Sequence, residues 1–402
     1  MLTSLRFFAP TLGYGGYEVH SREVLRQLVK RGIVVQHKPL RFHTAPVVRD
    51  PEMEDVLRTA LNTEVPMFSP FLSVCVPDTS FHCIDYRSWG RVPRFNYTTF
   101  EADRVPNTWV FCSDAHDCTV VTNNFLKEAW VNSGADERKL EVVGEGINPQ
   151  VWNKDVKPRE LASHNNTSLS TMYKHRFLLM AEFSQRKNVT QAVRCFIKAF
   201  AGRKDVCLIL KASYLDKTKD ANVYLEGLSV KDINLYLFEQ ILPDVAVPAF
   251  MAQATHYFSL SHGEGWDLNC PNMGALGKVV VAPNIMAYRD YLNADRAFLI
   301  DKFQWVPAQQ DASLQFIFEG ARWCGYNDDD VVDVLRKSVE SDVVNALMAQ
   351  KFNEHVMSEL TWEQQVNKLV NILNTRCDGI FSDGLGVADA MEGESYELPA
   401  AN

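Results

Sequence analysis

Short apolar segments alternate with amphipathic segments along almost the whole chain, and this alternation restricts the fold more than any other feature. In the first half, the apolar segment SLRFFAP precedes YEVHSREVLRQLVKRG, whose apolar residues recur with the period of a helix. The segments IVVQHKPL, FLSVCVP and RFNYTTF have the length and composition of further strands. Strands that alternate with helices predict a parallel sheet covered by helices on both faces.

The alternation is interrupted once, between about residue 149 and residue 173, and then begins again. The interruption contains the polar sequence KPRELASHNNTSLST, which is typical of a connection between domains. After it come the strand-like segments FLLMAEF, VCLILKAS, INLYLFEQ, HYFSLS and KVVVAP, separated mostly by helical patterns. The sequence therefore predicts an α/β protein of two Rossmann-like, doubly wound domains with a cleft between them, over residues 1–160 and 161–360.

The C-terminal part of the sequence has a different pattern. Residues 311–376 are mainly helical in pattern, and Thr361 and Gln364 stand at the spacing of a capping box. From residue 378 to residue 402 the chain carries acidic residues and no basic ones, which predicts a tail outside the packed core.

Charge and cysteine content restrict the function classes. The net charge of the 402 residues is -9, which gives no overall basic surface for nucleic acid or an anionic membrane. The nine cysteines are scattered, with no CxxC pair and no zinc-type spacing, so we expect reduced thiols in a cytoplasmic protein and no metal site. No apolar run has the length of a membrane span, and no signal peptide is recognisable.

The first candidate motif, GYGGYEVH, lies between the first predicted strand and the first helix. Gly15 and Gly16 would let a ligand approach the backbone, and the helix N-terminus would offer N–H groups to an anion. A tight strand–helix turn explains such a motif equally well. The glycine spacing differs from GxGxxG, which argues against an NAD-dependent oxidoreductase.

Two further motifs follow predicted strands of the second half. FSQRKN places Arg186 and Lys187 at the sheet edge where ligands collect, and two cations there suit a diphosphate, although a solvated basic pair is the alternative. SHGEGWDLNCPNMGALGKVVVAP places Glu264 between two glycines. A carboxylate buried at this edge needs partners, such as hydroxyls, N–H groups or a cation. The alternative is a glutamate at the start of the next helix.

Together these segments resemble the large family of retaining glycosyltransferases with the GT-B fold, often called family 4 or group 1. YTTFEADRVPNTWV and CTVVTNNFLKEAWVNSGADERKLEVVGEGINPQVW are similar to its late N-domain segment, and the resemblance extends in order over most of residues 5–376. It implies transfer of a sugar, with retention, from a UDP- or GDP-sugar to a saccharide or other hydroxyl acceptor. It also implies that no cofactor or metal is required, and that a helix over 361–377 crosses back to the first domain.

The resemblance also implies residue roles. Lys187 matches the lysine of the family's RKG segment, which contacts the donor diphosphate, and Arg186 supplies a second cation because Glu182 replaces a frequent arginine. Glu264 matches the glutamate that touches the donor sugar. Asn272 replaces a second glutamate, which usually binds the ribose, and its amide can still form hydrogen bonds with hydroxyls. The expected donor-binding residues are Gly15, Gly16, Arg186, Lys187, Glu264, Gly265, Trp266, Asp267, Leu268 and Asn272.

Glu101 ends the strand-like segment TTFE of the acceptor-side domain, so the expected catalytic residues are Glu264, Lys187, Arg186 and Glu101. His20 and His82 are weaker candidates for contacts with the sugar or acceptor, because core or solvated histidines explain them better. Two alternatives to this function stay open. One is an inactive sugar-nucleotide-binding scaffold, which Asn272 and Glu182 support. The other is a glycosyltransferase that acts on modified DNA bases, against which the net charge of -9 argues.

Overall fold

Each half of the chain forms a six-stranded parallel sheet, as the alternation predicts. The structure is a computed structural model and describes residues 1–40, 50–84, 92–159, 161, 167–214, 221–309 and 315–382. The first sheet contains β1 (Ser4–Pro10), β2 (Val34–Leu40), β3 (Phe71–Val74), β4 (Arg94–Thr98), β5 (Cys118–Val121) and β6 (Leu140–Val142). The second contains β7 (His175–Phe183), β8 (Val206–Tyr214), β9 (Asn234–Phe238), β10 (His256–Phe258), β11 (Val279–Pro283) and β12 (Phe298–Ile300).

The order of the strands indicates where each sheet can bind a ligand. The first sheet runs β2-β1-β3-β4-β5-β6 and the second runs β12-β11-β10-β7-β8-β9. The strand order therefore reverses between β1 and β3 in the first sheet and between β7 and β10 in the second. Open α/β sheets bind ligands at such reversals, beyond the carboxyl ends of the strands.

Helices cover both sheets. Those of the first half are α1 (Gly16–Lys30), α2 (Pro51–Leu61), α3 (Pro77–Cys83), α4 (Asn107–Ser113) and α5 (Asn124–Asn132). Those of the second half are α6 (Leu169–Met172), α7 (Val189–Phe200), α8 (Ala221–Leu225), α9 (Val247–Met251), α10 (Asn269–Ala275), α11 (Tyr288–Tyr291), α12 (Asp328–Lys337) and α13 (Asp342–Glu359). Leu208, Leu210 and Val281 of the second sheet are completely buried, as expected for strands covered on both faces.

The last helix, α14 (Trp362–Ser382), packs on the first half of the chain. Thr361 and Gln364 form the predicted capping box, since each side chain bonds the backbone N–H of the other residue. The apolar face of α14 joins the core that contains Leu25 and Leu28 of α1. The helix continues beyond residue 377 into the predicted acidic tail, of which residues 383–402 lie outside the described residues.

A two-stranded antiparallel sheet, β13 (Gln304–Pro307) and β14 (Arg322–Gly325), connects the two halves. The described residues of 311–376 are mainly helical, as predicted, and β14 is a strand that the prediction did not name, because four residues have too few alternations to reveal their period. Phe318 and Trp323 pack with Phe100 in a hydrophobic cluster that both halves share. Within the described part of the chain, we find no helix with the length and apolarity that a membrane crossing needs.

Candidate active site

The loop between β7 and α7 places Arg186 and Lys187 at the carboxyl edge of the second sheet. Its last residue, Asn188, has a φ of 52°, in the left-handed region that asparagine tolerates better than most residues. The Asn188 amide donates hydrogen bonds to Gln191 Oε1 at 2.7 Å and to the Leu260 carbonyl at 3.2 Å. These bonds fix the loop against the end of β10.

Glu264, in the loop after β10, accepts hydrogen bonds from both cations. Lys187 Nζ lies 2.5 Å from Glu264 Oε1, and Arg186 Nη1 lies 3.2 Å from Oε2. Burial raises the pKa of Glu264, but the charges of Lys187 and Arg186 outweigh burial and hold the net pKa below its usual value. Glu264 is therefore an ionised, buried carboxylate at the strand-order reversal of the second sheet.

Arg186 also reaches the first half of the chain. Its Nη1 donates to the Gly263 carbonyl at 2.8 Å, and its Nη2 lies 3.4 Å from Glu101 Oε1. Burial lowers the pKa of Arg186, whereas the charges of Glu101, Glu264 and Glu182 raise it, and the net pKa is raised. The guanidinium thus joins the carboxyl edges of the two sheets.

The loop that contains Glu264 lies very close to the first sheet. Thr122 Oγ1 and Asn123 Nδ2 donate to the Gly265 carbonyl at 2.6 and 2.7 Å. A Cβ atom at Gly265 would lie 1.9 Å from Thr99 Oγ1, and one at Gly263 would lie 2.2 Å from the carbonyl oxygen of Glu101. Both glycines are therefore required by the approach of the two backbones.

Trp266, Asp267 and Leu268 follow Glu264 and face protein. The buried indole of Trp266 lies directly over Gly144, and Leu268 packs with apolar residues of both halves. The carboxylate of Asp267 accepts hydrogen bonds from Tyr257 Oη at 2.9 Å and Tyr288 Oη at 2.7 Å. Burial and the nearby charge of Glu264 raise the pKa of Asp267 to about 6.

The glycine motif of the first half lies where the sequence predicts it. Gly15 precedes α1 and Gly16 begins it, and no side chain caps this N-terminus. Arg22 shapes the preceding loop through bonds from Nη1 to the carbonyls of Thr11 (3.2 Å) and Gly13 (2.6 Å). Its Nη2 donates to Asp244 of the second half at 2.8 Å, so the loop faces the opposite domain.

Some of the predicted site residues contact one another, and others do not. Arg186 contacts both Glu101 and Glu264, Lys187 contacts Glu264, and Gly265 is the next residue of the chain. Asn272 is a half-buried residue of α10, and no hydrogen bond of the described residues joins it to Glu264. Glu264 does not cap α10, because the residue at that position is Leu268.

The histidines occupy different surroundings. His20 is buried and pairs with Glu145 at 2.6 Å, as a core histidine does, and His82 is an exposed residue of α3. In the described ranges, no group of three or more His, Cys, Asp or Glu side chains is placed to hold a metal ion.

Several residues that shape this edge were not predicted from the sequence. Thr122 and Asn123 precede α5, and the only signal for Asn123 is its position as a helix cap. Tyr257 and Tyr288 look like ordinary apolar residues of a strand and a helix. Arg22 lies within the helical pattern of α1, where a charged residue normally faces solvent, but here it is buried.

No protein-family model matches the sequence, and no curated protein does so either. Solved structures with similar folds exist at low sequence identity. HepE from Anabaena, in complex with UDP and glucose, is 12% identical with a TM-score of 0.60, and the match covers 93% of this chain and 100% of HepE.

Two further structures match over a similar length. Sucrose-phosphate synthase from Thermosynechococcus elongatus is 12% identical with a TM-score of 0.64, over 94% of this chain and 100% of that one. A glycosyltransferase from Rickettsia africae is 13% identical with a TM-score of 0.59, over 93% and 98% of the two chains. The chain therefore has the GT-B fold, with two parallel sheets whose carboxyl edges face each other.

Proposed function

We propose that the protein is a glycosyltransferase that moves a sugar from a nucleoside-diphosphate sugar to an acceptor hydroxyl with retention of anomeric configuration. The observation that carries this proposal is the meeting of Arg186, Lys187 and Glu264 at the strand-order reversal of the second sheet. Two cations beside a buried carboxylate suit a ligand that joins an anionic diphosphate to a sugar with hydroxyl groups.

In the proposed reaction, the bond between the anomeric carbon and the β-phosphate oxygen breaks, and the acceptor oxygen forms a new bond to the same carbon. Negative charge grows on the departing diphosphate, and Arg186 and Lys187 stabilise it. Glu264 accepts hydrogen bonds from donor-sugar hydroxyls and orients the anomeric carbon. The acceptor attacks from the face that the diphosphate leaves, and its proton passes to the departing phosphate oxygen, so that the configuration is retained. Glu101, on the facing domain, is the carboxylate that binds and orients the acceptor hydroxyl.

The remaining predicted residues belong to the same donor site in this proposal. The backbone of Gly15, Gly16 and Gly265 approaches the phosphates and the sugar, and Asn272 binds the ribose. Trp266, Asp267 and Leu268 support the loop from the protein side, as their buried contacts suggest. Because HepE was solved with UDP and glucose, UDP-glucose is the first donor to test.

A thermal-shift series with UDP, GDP, ADP and their sugars tests donor binding, because a ligand of the folded state raises the unfolding temperature. We expect one nucleotide to stabilise the protein clearly more than the others. Hydrolysis of that nucleotide sugar in the absence of acceptor then tests chemistry. Proton NMR of the freshly released sugar should show the donor's anomeric configuration before mutarotation. Release of the opposite anomer would contradict retention.

One observation favours a second candidate, a nucleotide-sugar-binding protein without transfer activity. Arg186 and Lys187 are already paired with Glu264 and Glu101, so a diphosphate must compete with internal carboxylates. Stabilisation by a nucleotide sugar with no hydrolysis over long incubation, at high protein concentration, would select this candidate.

A further inference from the structure

The loop that carries Glu264 is held by tyrosine hydroxyls on its protein side. Tyr257 of β10 and Tyr288 of α11 both donate to the carboxylate of Asp267, and Tyr288 is itself in contact with Ser259 Oγ at 2.8 Å. Tyr291 of α11 donates to the carbonyl of Trp266 at 2.6 Å. Since a buried hydroxyl without a partner costs free energy, these bonds fix the loop relative to β10 and α11.

Asp267 also has an unusual backbone conformation. Its φ is 66°, in the left-handed region, which aspartate tolerates better than most residues but glycine tolerates best. Glycine at this position would relax the backbone but would leave the hydroxyls of Tyr257 and Tyr288 without their acceptor. The aspartate side chain thus accounts for the anchoring of the turn between Glu264 and α10.

The tyrosine contacts hold a third carboxylate in the loop that carries Glu264, which is the direct partner of both candidate phosphate cations. Arg186 and Lys187 are in contact with Glu264 and Glu101, whereas the described hydrogen bonds of the Asp267 carboxylate come from neutral hydroxyls. The ionisable groups that interact electrostatically with Asp267 are Glu264, Lys187, Tyr257, Tyr288, Tyr291 and Cys270. A charge at Asp267 therefore acts on an anion bound beside Lys187.

We propose that Asp267 is a positioning residue with two opposing effects: it holds the loop that orients Glu264, and its negative charge weakens the binding of the anionic nucleotide. This inference rests on the proposed function. UDP, the product, carries more negative charge than a UDP-sugar, because its terminal phosphate is not esterified. The charge of Asp267 therefore weakens the binding of UDP more than the binding of the donor, which favours product release.

Two variants separate the effects. Asp267→Asn keeps the side-chain shape, tolerates the left-handed backbone and can still bond both tyrosine hydroxyls, but it removes the charge. Asp267→Gly relaxes the backbone and removes both the charge and the anchor. Isothermal titration at pH 8, where Asp267 is ionised, should show roughly fivefold tighter UDP binding for Asp267→Asn than for the wild type.

At pH 5.5 this gain in UDP affinity should shrink, because the wild-type carboxyl is then largely protonated.

Turnover of the donor should fall about tenfold or more in Asp267→Gly, whereas Asp267→Asn should keep most of the wild-type turnover. Tyr288→Phe serves as a second anchor variant, since it removes one hydroxyl and keeps the charge. It should lower turnover without tightening UDP binding.

The outcomes separate the inference from the proposed function. If UDP binds the wild type but Asp267→Asn does not bind it more tightly at pH 8, the electrostatic effect is wrong. If Asp267→Asn and Asp267→Gly turn over donor equally, the anchoring effect is wrong. If neither the wild type nor Asp267→Asn binds any nucleotide, the inference and the proposed function fail together.

Discussion

Lys187 and Glu264 form a direct ion pair between the loops after β7 and β10, with 2.5 Å between Nζ and Oε1. The pair spans the strand-order reversal of the second sheet, and Arg186 extends it to Glu101 of the facing domain. A negatively charged ligand at this place therefore enters an existing network of charges, in which each cation already has a carboxylate partner.

Replacing Lys187 with alanine should reduce donor turnover about a hundredfold, because one cation that faces the departing diphosphate contributes on the order of 3 kcal/mol to the transition state. The measurement is kcat/KM for donor hydrolysis or transfer. Lys174→Ala is a matched control, since Lys174 precedes the amino end of the same strand and pairs with Asp342 at 2.7 Å. Equal kinetics of Lys187→Ala and Lys174→Ala would mean that Lys187 has no role in transfer beyond its ion pair with Glu264.

Replacing Glu264 with glutamine should lower turnover, because the sugar hydroxyls lose an ionised acceptor and the two cations lose their partner. A buried pair broken on one side also costs about 3 kcal/mol or more of stability. Kinetics and urea unfolding are therefore measured on the same sample. Glu264→Asp, which keeps the charge and shortens the side chain, serves as the control. Unchanged turnover with reduced stability would assign Glu264 a structural role alone.

Glu264→Gln also gives a prediction of how stability depends on pH. The pKa of Glu264 is lowered in the folded protein, so its charge stabilises the fold above the unfolded value of about 4.3. This stabilisation is lost as the pH falls through the lower folded pKa. The difference in unfolding free energy between the wild type and Glu264→Gln should thus be constant above about pH 7, where Asp267 is ionised in both proteins, and should shrink below about pH 4.5. A difference that grows as the pH falls below about 4.5 would contradict the ionised carboxylate.

Replacing Asn272 with glutamate should tighten nucleotide binding, because hydrogen bonds from ribose hydroxyls to an ionised acceptor are roughly twice as strong as neutral ones. Asn272→Gln has the same side-chain length as the glutamate variant but no charge, so it separates the effect of length from the effect of charge. The dissociation constant of UDP is measured for both variants. If UDP affinity rises as much in the glutamine variant as in the glutamate variant, side-chain length explains the effect.

Replacing Gly265 with alanine should push the two domains apart locally, because the new Cβ would lie 1.9 Å from Thr99 Oγ1. Overpacking of this kind lowers the free energy of unfolding by about 1–3 kcal/mol. Thr99→Ala removes the clashing oxygen, so the double variant should regain part of this stability. A double-mutant cycle of unfolding free energies measures this coupling. Additive effects of the two substitutions would show that the cost of Gly265→Ala does not come from a clash with Thr99.

The sequence predicts the two sheets well, because the alternation of strands and helices is a local signal. It also predicts that Arg186, Lys187 and Glu264 share one edge, since the carboxyl ends of parallel strands lie together. Asn188 and Asp267 both have left-handed backbones, with φ values of 52° and 66°, a conformation that glycine adopts most easily. Each of them keeps its turn and adds a side chain that bonds its surroundings.

The contacts of those side chains could not be predicted from the sequence. Asp267 meets Tyr288 of α11 only because α11 packs beside the end of β10, and this neighbourhood depends on the strand order. Phe100 meets Phe318 across more than two hundred residues of chain, with ring centroids 4.9 Å apart. Local periodicity carries no information about such pairs, which form when the two completed halves meet.

The packing of α14 on α1 determines the order in which the chain can mature on the ribosome. Trp362, Val366, Leu369 and Leu373 complete the hydrophobic core of the first sheet, although more than two hundred residues separate them from its last strand. While the second half is being synthesised, the first half therefore exposes the apolar surface that α14 later covers. Of these two domains, the one that is synthesised earlier is therefore completed later.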